Sequence, residues 1–500
     1  MKSFLGRLTA AAFLTSMAAC SSGDADSDEP ALALGPCPPE QRIPDGLCGA
    51  YSVFEDRESQ QGRKVDLRVV VLPALAGTPE PDPVFILAGG PGQAATEIIG
   101  TVLAGLRDVH RNRDMVFVDQ RGTGKSNPLG CDLNDEADPQ EILVDPLVDS
   151  AAMERTLDRL RTCVDSLNAD TRLYTTPIAM DDLNEVREAL GYDRINLWGV
   201  SYGTRAALVF MRRHPDHVRA AVLDGLAPVS IRLPLHLGRD GNRALDILLS
   251  DCAASENCSA AFPNLEERLN ALLDEVGQRP IRTSVLHPRT GRPENVTITR
   301  ASIASVIRTT LYNPYLSALL PLALDEASAG RFEPLATLSL GSGGNGPGIY
   351  LGMYLSVVCA EDMPFITERD RAEAVRDRLF GTRLLENFNE MCEAWPSGQV
   401  PDGYTDPVSS TVPVLLLSGE LDPITPPSWA EEVSRTLPNS RHIVVPGSAH
   451  NVFSEGCLPD LIDEFFTAAS AEDMDPSCAA DVARPNFFDT PLGPFTRGSP

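Results

Sequence analysis

From Arg194 to Phe210 the chain reads RINLWGVSYGTRAALVF, and no other stretch limits its possible folds as much. Ile195 to Val200 is a short, mostly apolar run, with Asn196 and Gly199 as exceptions, and it reads as a strand. Gly199-Val200-Ser201-Tyr202-Gly203 follows, and Ala206 to Phe210 reads as an apolar helix. Strand, sharp turn and helix around G-x-S-x-G form an elbow that lifts a serine hydroxyl off a sheet edge. Small residues two before and two after the serine let strand and helix approach closely, and they tolerate a strained backbone. In a chain with 38 glycines the pentapeptide alone could be chance. The flanking strand and helix give it weight.

On either side the pattern continues. Val65 to Leu72, Pro83 to Leu87, Met115 to Val118 and Val218 to Leu223 read as strands. Helical patterns at Ala151–Leu167 and Asp181–Leu190 come between them. Alternation of this kind predicts an α/β fold with a mainly parallel sheet and helices on both faces. Reactive groups in such sheets lie beyond the carboxyl ends of the strands. Ala88-Gly89-Gly90-Pro91-Gly92-Gln93 leaves one such end. Its exposed backbone N–H groups suit an anion or oxyanion. Pro91 has no N–H, so Gly90 N–H is the expected donor, beside the N–H of Tyr202. G-x-G-x-x-G is missing, which argues against dinucleotide binding. Gly124-Lys125-Ser126 lacks the glycine of a phosphate loop, because Asp119 stands in its place. That segment reads instead as a charged brace.

Between residue 230 and about 400 the pattern changes. Helical runs appear at Asn242–Leu249, Leu265–Val276, Ala301–Thr310, Leu316–Ala329 and Arg369–Leu379, with few strand signals. Gly341 to Gly348 reads as a loop. The expected arrangement is a helical cap over the cleft; a helical partner-binding domain is the alternative. Inside it, Cys359-Ala360-Glu361-Asp362 places two acids beside a half-cystine candidate. Glu361 and Asp362 are candidates to hold a substrate's cationic end, or are simply solvated surface.

The α/β pattern then resumes. Pro413 to Leu417 reads as a strand leading to Ser418-Gly419-Glu420-Leu421-Asp422-Pro423. His442 to Val445 leads to Pro446-Gly447-Ser448-Ala449-His450, and Leu461 to Phe466 begins a closing helix. The order Ser201, Asp422, His450 is that of α/β hydrolases. A serine hydroxyl becomes a nucleophile when a histidine takes its proton, and a carboxylate orients that histidine. Glu420 and His442 are the nearby rivals. Asp422 is preferred for its reach after Gly419, and His450 because it lies past its strand. The expected division is a core of 45–228 and 405–470, a cap of 229–404, and a tail of 471–500.

Composition matters mainly for compartment and partners. Seventy acidic against 42 basic residues give a net charge of −28, which argues against nucleic acid. Residues 1–19 read as an export signal, with Lys2 and Arg7 before an apolar run too short to span a bilayer. Met17-Ala18-Ala19-Cys20 looks like a bacterial lipobox, which makes Cys20 the expected lipidation site and residues 20–44 a tether. The expected location is the bacterial cell surface or a membrane facing the periplasm. Of 11 cysteines, ten then remain, enough for five disulfides in an oxidising compartment. Short loops suggest Cys37–Cys48, Cys131–Cys163, Cys252–Cys258, Cys359–Cys392 and Cys457–Cys478. With no C-x-x-C or H-E-x-x-H, no metal or cofactor is expected, and no obligate protein partner is inferred.

Five stretches together resemble the proline-iminopeptidase-like and tripeptidyl-aminopeptidase-like serine exopeptidases of the α/β-hydrolase fold. They are Gly89-Gly90-Pro91-Gly92, Asp119 to Ser126, Gly199 to Thr204, Gly419 to Pro423 and Gly447 to His450. The resemblance covers roughly 45 to 470. It implies a helical cap, an acidic cap residue near the substrate amine, and release of one to three N-terminal residues from peptides. Ala88 stands where the iminopeptidases often have histidine, and Tyr202 where they often have tryptophan. Both departures point toward the larger, secreted tripeptidyl-aminopeptidase-like branch. An esterase, lactonase or amidase using the same three residues is the alternative.

Overall fold

A computed structural model of the chain describes residues 32–131, 150–287, 290–342, 348–374 and 378–494. The signal, Cys20, the start of the tether, most of the Gly341 to Gly348 loop and the end of the tail lie outside the described residues.

The strands are β1 (Gly35–Pro36), β2 (Leu47–Asp56), β3 (Gln61–Leu72), β4 (Val84–Leu87), β5 (Met115–Val118), β6 (Ile195–Val200), β7 (Val218–Asp224), β8 (Ile281–Leu286), β9 (Pro293–Ile298), β10 (Val414–Gly419) and β11 (Ser440–Val445). Nine form one sheet in the order β1-β2-β3-β5-β4-β6-β7-β10-β11. From β5 to β11 every pairing is parallel; β1, β2 and β3 add an antiparallel ribbon at one edge. Parallel strands covered on both faces are apolar throughout, which explains VFIL in β4, MVFV in β5 and VLLLSG in β10, all buried.

Alternate side chains serve opposite layers. Phe85 and Leu87 of β4 face the helices Thr176–Ala189, Tyr202–Arg213 and Pro427–Ser434. Val84 and Ile86 face Ile99–Gly105, Arg107–Asn112 and Leu458–Ala468. Parallel register fixes the working edge. Leu87 pairs with Gly199, Val200 with Asp224, and Asp224 with Leu417, so the loops after β4, β6, β7, β10 and β11 leave the sheet side by side.

Between β7 and β10 the chain builds a second, mainly helical layer with its own core, including Leu245, Leu269, Ile307, Leu324 and Phe388. Its helices depart in detail from the expected runs. Leu233–Ala254 is far longer than 242–249, because Pro234 sits in the first turn, where no N–H is needed, and Gly238 and Gly241 are tolerated within it. The run Leu316–Ala329 splits into Pro314–Ser317 and Leu320–Ser328, with Pro321 opening the second helix. Elements that were not expected include β1, β2, whose mixed sequence is only half covered, the β8–β9 hairpin, and the helices Ile99–Gly105, Leu351–Glu361, Arg383–Ala394 and Pro427–Ser434. All five disulfides join the cysteine pairs that short loops suggested. Among the described residues no helix is long and apolar enough to cross a membrane, and no cluster of three or more His, Cys, Asp or Glu could hold a metal.

Candidate active site

Strand β6 ends at Val200 and the next helix starts at Tyr202, so Ser201 alone makes the turn between them. Its backbone has φ 55° and ψ −124°, a conformation that L-residues rarely adopt. Neighbours hold it there. Ser201 N–H donates to Asp224 O at 2.9 Å, and Thr204 donates to Ser201 O through its N–H (2.9 Å) and its hydroxyl (2.6 Å). The following helix rests on the end of β4: a Cβ on Gly203 would lie 2.0 Å from Leu87 O. An alanine there requires the backbone to move.

His450 follows β11 and Asp422 follows β10. His450 Nδ1 lies 2.8 Å from Asp422 Oδ2. A carboxylate only accepts, so Nδ1–H donates and the Nε2 lone pair is left free to take a proton. Asp422 is fully buried and well held: Ile424 and Thr425 N–H donate to Oδ1, each at 2.8 Å, and Thr425 Oγ1 donates to Oδ2 at 2.8 Å. Thr425 Oγ1 also lies 3.2 Å from His450 Nδ1. Burial pushes the Asp422 carboxyl upward, but His450 and these donors hold it below its ordinary value. Burial pushes His450 downward, but the Asp422 carboxylate, its hydrogen bond and the Asp224 charge together hold it above the ordinary histidine value. The rivals are occupied elsewhere. Glu420 is exposed, and His442 Nε2 lies 3.0 Å from Ser418 Oγ.

Ser201, His450, Gly90 and Tyr202 line one cavity of about 600 Å³. The helical layer roofs it with Leu233, Leu237, Tyr312, Tyr354, Leu384 and Phe388. Tyr312 stands edge-on to the His450 ring, with centroids 5.2 Å apart. Among the described residues no acidic side chain lines the cavity.

Several contributors escaped the sequence reading. Asp224 is completely buried at the end of β7 and accepts from Val452 N–H (2.8 Å) and Phe453 N–H (2.9 Å), tying down the loop just past His450. Burial pushes its carboxyl up to about 7, against the pull of those two N–H groups and His450. Gly225 beside it leaves room for the His450 ring, since a Cβ there would lie 3.2 Å from His450 Cε1. The signals were Asp-Gly closing a buried strand, and a threonine three residues past Asp422.

Glu361 and Asp362 require a correction. They were expected to hold a substrate's ammonium inside the cleft, but both are fully buried and neither lines the cavity. The apolar helix Leu351–Glu361 carries them inward beneath the helix that follows Ser201. There Arg205 takes them up: Nη2 lies 3.1 Å from Asp362 Oδ1, and Nη1 lies 3.5 Å from Glu361 Oε2.

Comparison with known proteins agrees with this architecture. Residues 377–478 match the family model described as TAP-like protein. The chain is 26% identical over 457 residues to the serine protease Hip1 of Mycobacterium tuberculosis, covering 86% of each. It is 25% identical over 478 residues to a tripeptidyl aminopeptidase of Streptomyces coelicolor, covering 89% of this chain and 85% of that one. A proline iminopeptidase of Neisseria gonorrhoeae is 28% identical over 152 residues, covering 30% of this chain and 34% of that one. The chain is thus similar to a serine protease, a tripeptidyl aminopeptidase and a proline iminopeptidase, and its sheet order with a strained serine turn after β6 is the architecture of the α/β-hydrolase fold.

Proposed function

We propose that the chain is a serine peptidase that releases short N-terminal pieces, one to three residues long, from peptides. The observation that carries this reading is the roofed cavity shared by Ser201, held in its strained turn, and His450, paired to Asp422. Ser201 Oγ attacks the scissile carbonyl carbon while His450 Nε2 takes the hydroxyl proton. Asp422 keeps the imidazole oriented and offsets its positive charge. The N–H groups of Gly90 and Tyr202 receive the oxyanion. Collapse breaks the C–N bond, His450 returns the proton to the leaving amine, and an acyl group remains on Ser201. A water, deprotonated by His450, then releases the acid. A cap over the cleft favours chain ends over internal bonds, and the relatives named as aminopeptidases support that preference.

A second reading rests on one observation. The described cavity wall carries no carboxylate to meet a free amine, which favours small esters or amides. A panel of chromogenic peptides of one, two and three residues separates the two readings, each with free and acetylated N-termini, alongside short-chain esters. The peptidase reading expects free-amine peptides to be cut fastest, with loss of most activity on acetylation. Equal cleavage of both forms, or hydrolysis of esters alone, moves the assignment to the esterase or amidase reading.

The export-signal and lipobox patterns support delivery to the cell surface or periplasmic face with a lipid on Cys20. Intact-mass analysis of membrane-extracted protein tests this; an uncleaved N-terminus overturns it.

A further inference from the structure

We infer that Glu361 is a positioning residue: from beneath the nucleophile helix it fixes Tyr202, and with it the backbone N–H that faces the oxyanion. This rests on the reading of Ser201 as nucleophile.

A chain of short hydrogen bonds runs toward Glu361. Thr176 N–H donates to Glu361 Oε1 at 2.6 Å, and Thr176 Oγ1 donates to Glu361 Oε2 at 2.8 Å. Tyr404 OH donates to the same Oε2. The Thr176 proton is therefore spent on Glu361, so Thr176 Oγ1 accepts from Tyr202 OH, 2.7 Å away. Tyr202 OH also lies 3.5 Å from Gln120 Oε1, but its short contact, and those beyond it, run toward one carboxylate, which belongs to the cap. Tyr202 is the first residue of the nucleophile helix, and Arg205, one turn on, lies 3.5 Å from Glu361 and 3.1 Å from Asp362. The cap thus grips the helix at two successive points on its buried side.

Burial makes the grip sensitive to small changes. Glu361 and Asp362 have no exposed surface and do not line the cavity, so no water replaces a partner they lose; Arg205, equally unexposed, borders the cavity. Burial pushes the Glu361 carboxyl upward against the pull of Arg205, Tyr404 and Thr176. The same burial pushes Asp362 upward, with Arg205 and Arg232 opposing. A glutamine at 361 keeps one acceptor but turns the other into a donor. That donor faces either the threonine N–H, which cannot accept, or the two hydroxyls, which must turn round to accept from it and so give up their present bonds. The resulting shift passes through Thr176 to the Tyr202 ring and along it to the backbone. An oxyanion donor displaced by about 1 Å costs on the order of 10²-fold in rate.

The test compares Glu361→Gln, Tyr202→Phe, Thr176→Val and Thr176→Ser in the full chain, with melting temperature recorded for each. Substrates are p-nitrophenyl acetate and one peptide nitroanilide in free and acetylated forms. The expected result for Glu361→Gln is a kcat lowered roughly 10- to 100-fold on every substrate the enzyme cuts, with KM changed less than about threefold. Tyr202→Phe removes one hydroxyl and leaves the charges, so it keeps the test open should Glu361→Gln not fold; its kcat falls in the same way. Thr176→Val matches that loss, and Thr176→Ser recovers most of it. A loss confined to the free-amine peptide overturns the inference in favour of amine binding, as does a raised KM with kcat unchanged. Unchanged kcat in Tyr202→Phe overturns it as well. The acetate arm needs no peptidase activity, so failure of the peptide-substrate reading leaves this result legible. Should Ser201→Ala retain acetate hydrolysis, the nucleophile reading and this inference fall together.

Discussion

Ser201→Ala lowers turnover of esters and peptides alike by about 10⁵- to 10⁶-fold while the protein keeps its melting temperature. The reason is local. The hydroxyl is the one side-chain group in the strained turn, Ser201 is the one serine of the described cavity wall, and no cysteine or lysine lines that wall. The backbone that builds the turn is untouched, because Ser201 is held through its N–H and its carbonyl rather than through Oγ. The residual rate comes from the oxyanion donors and binding alone. Steady-state kinetics with a melting curve checks both halves; a loss below about tenfold places the nucleophile elsewhere.

Asp422→Asn has the next largest effect, a fall in kcat of about 10³- to 10⁴-fold with KM little changed. The amide has the size of the carboxylate but presents a donor or a neutral acceptor to His450 Nδ1. It no longer offsets the imidazolium formed during attack. The pH profile carries a second signature. The proposed mechanism needs neutral His450, whose folded value lies above the ordinary level of about 6.5, so it expects wild-type activity to be lost as pH falls through that raised value. The titratable groups acting on the ring are Asp422, Asp224 and the phenol of Tyr312, with the Thr425 hydroxyl 3.2 Å from Nδ1. Removing the Asp422 charge leaves burial, which pushes the imidazole downward, so the acid limb moves to lower pH. Glu420→Gln, at an exposed side chain, leaves turnover within about twofold. Equal damage from Glu420→Gln and Asp422→Asn would contradict the pairing.

Much of the working edge was legible because it depends on local rules. A parallel sheet buried on both faces needs apolar strands, and turns at strand ends carry the chemistry. Ser201, Asp422 and His450 each follow such a strand, so the order along the chain already implied one edge. What could not be read depends on partners distant in the chain. Cys-Ala-Glu-Asp looks the same whether its acids meet solvent, substrate or a buried guanidinium, and only folding brings Arg205 beneath them. A signal existed in Arg205 itself, a charge in the buried helix Tyr202–Arg213 that needs a buried anion. The helix Leu351–Glu361 gave no periodic signal, being apolar all round. Asp224 was passed over because Asp-Gly after a strand reads as an ordinary turn.

The central claim is that Ser201 carries the acyl group during peptide cleavage. Titration with a fluorophosphonate, followed by peptide mapping, tests it most directly. The account predicts one label per chain, on Ser201, with peptidase activity falling in proportion and reaching zero at full labelling. A label on another residue, or peptide cleavage surviving complete labelling of Ser201, would contradict it.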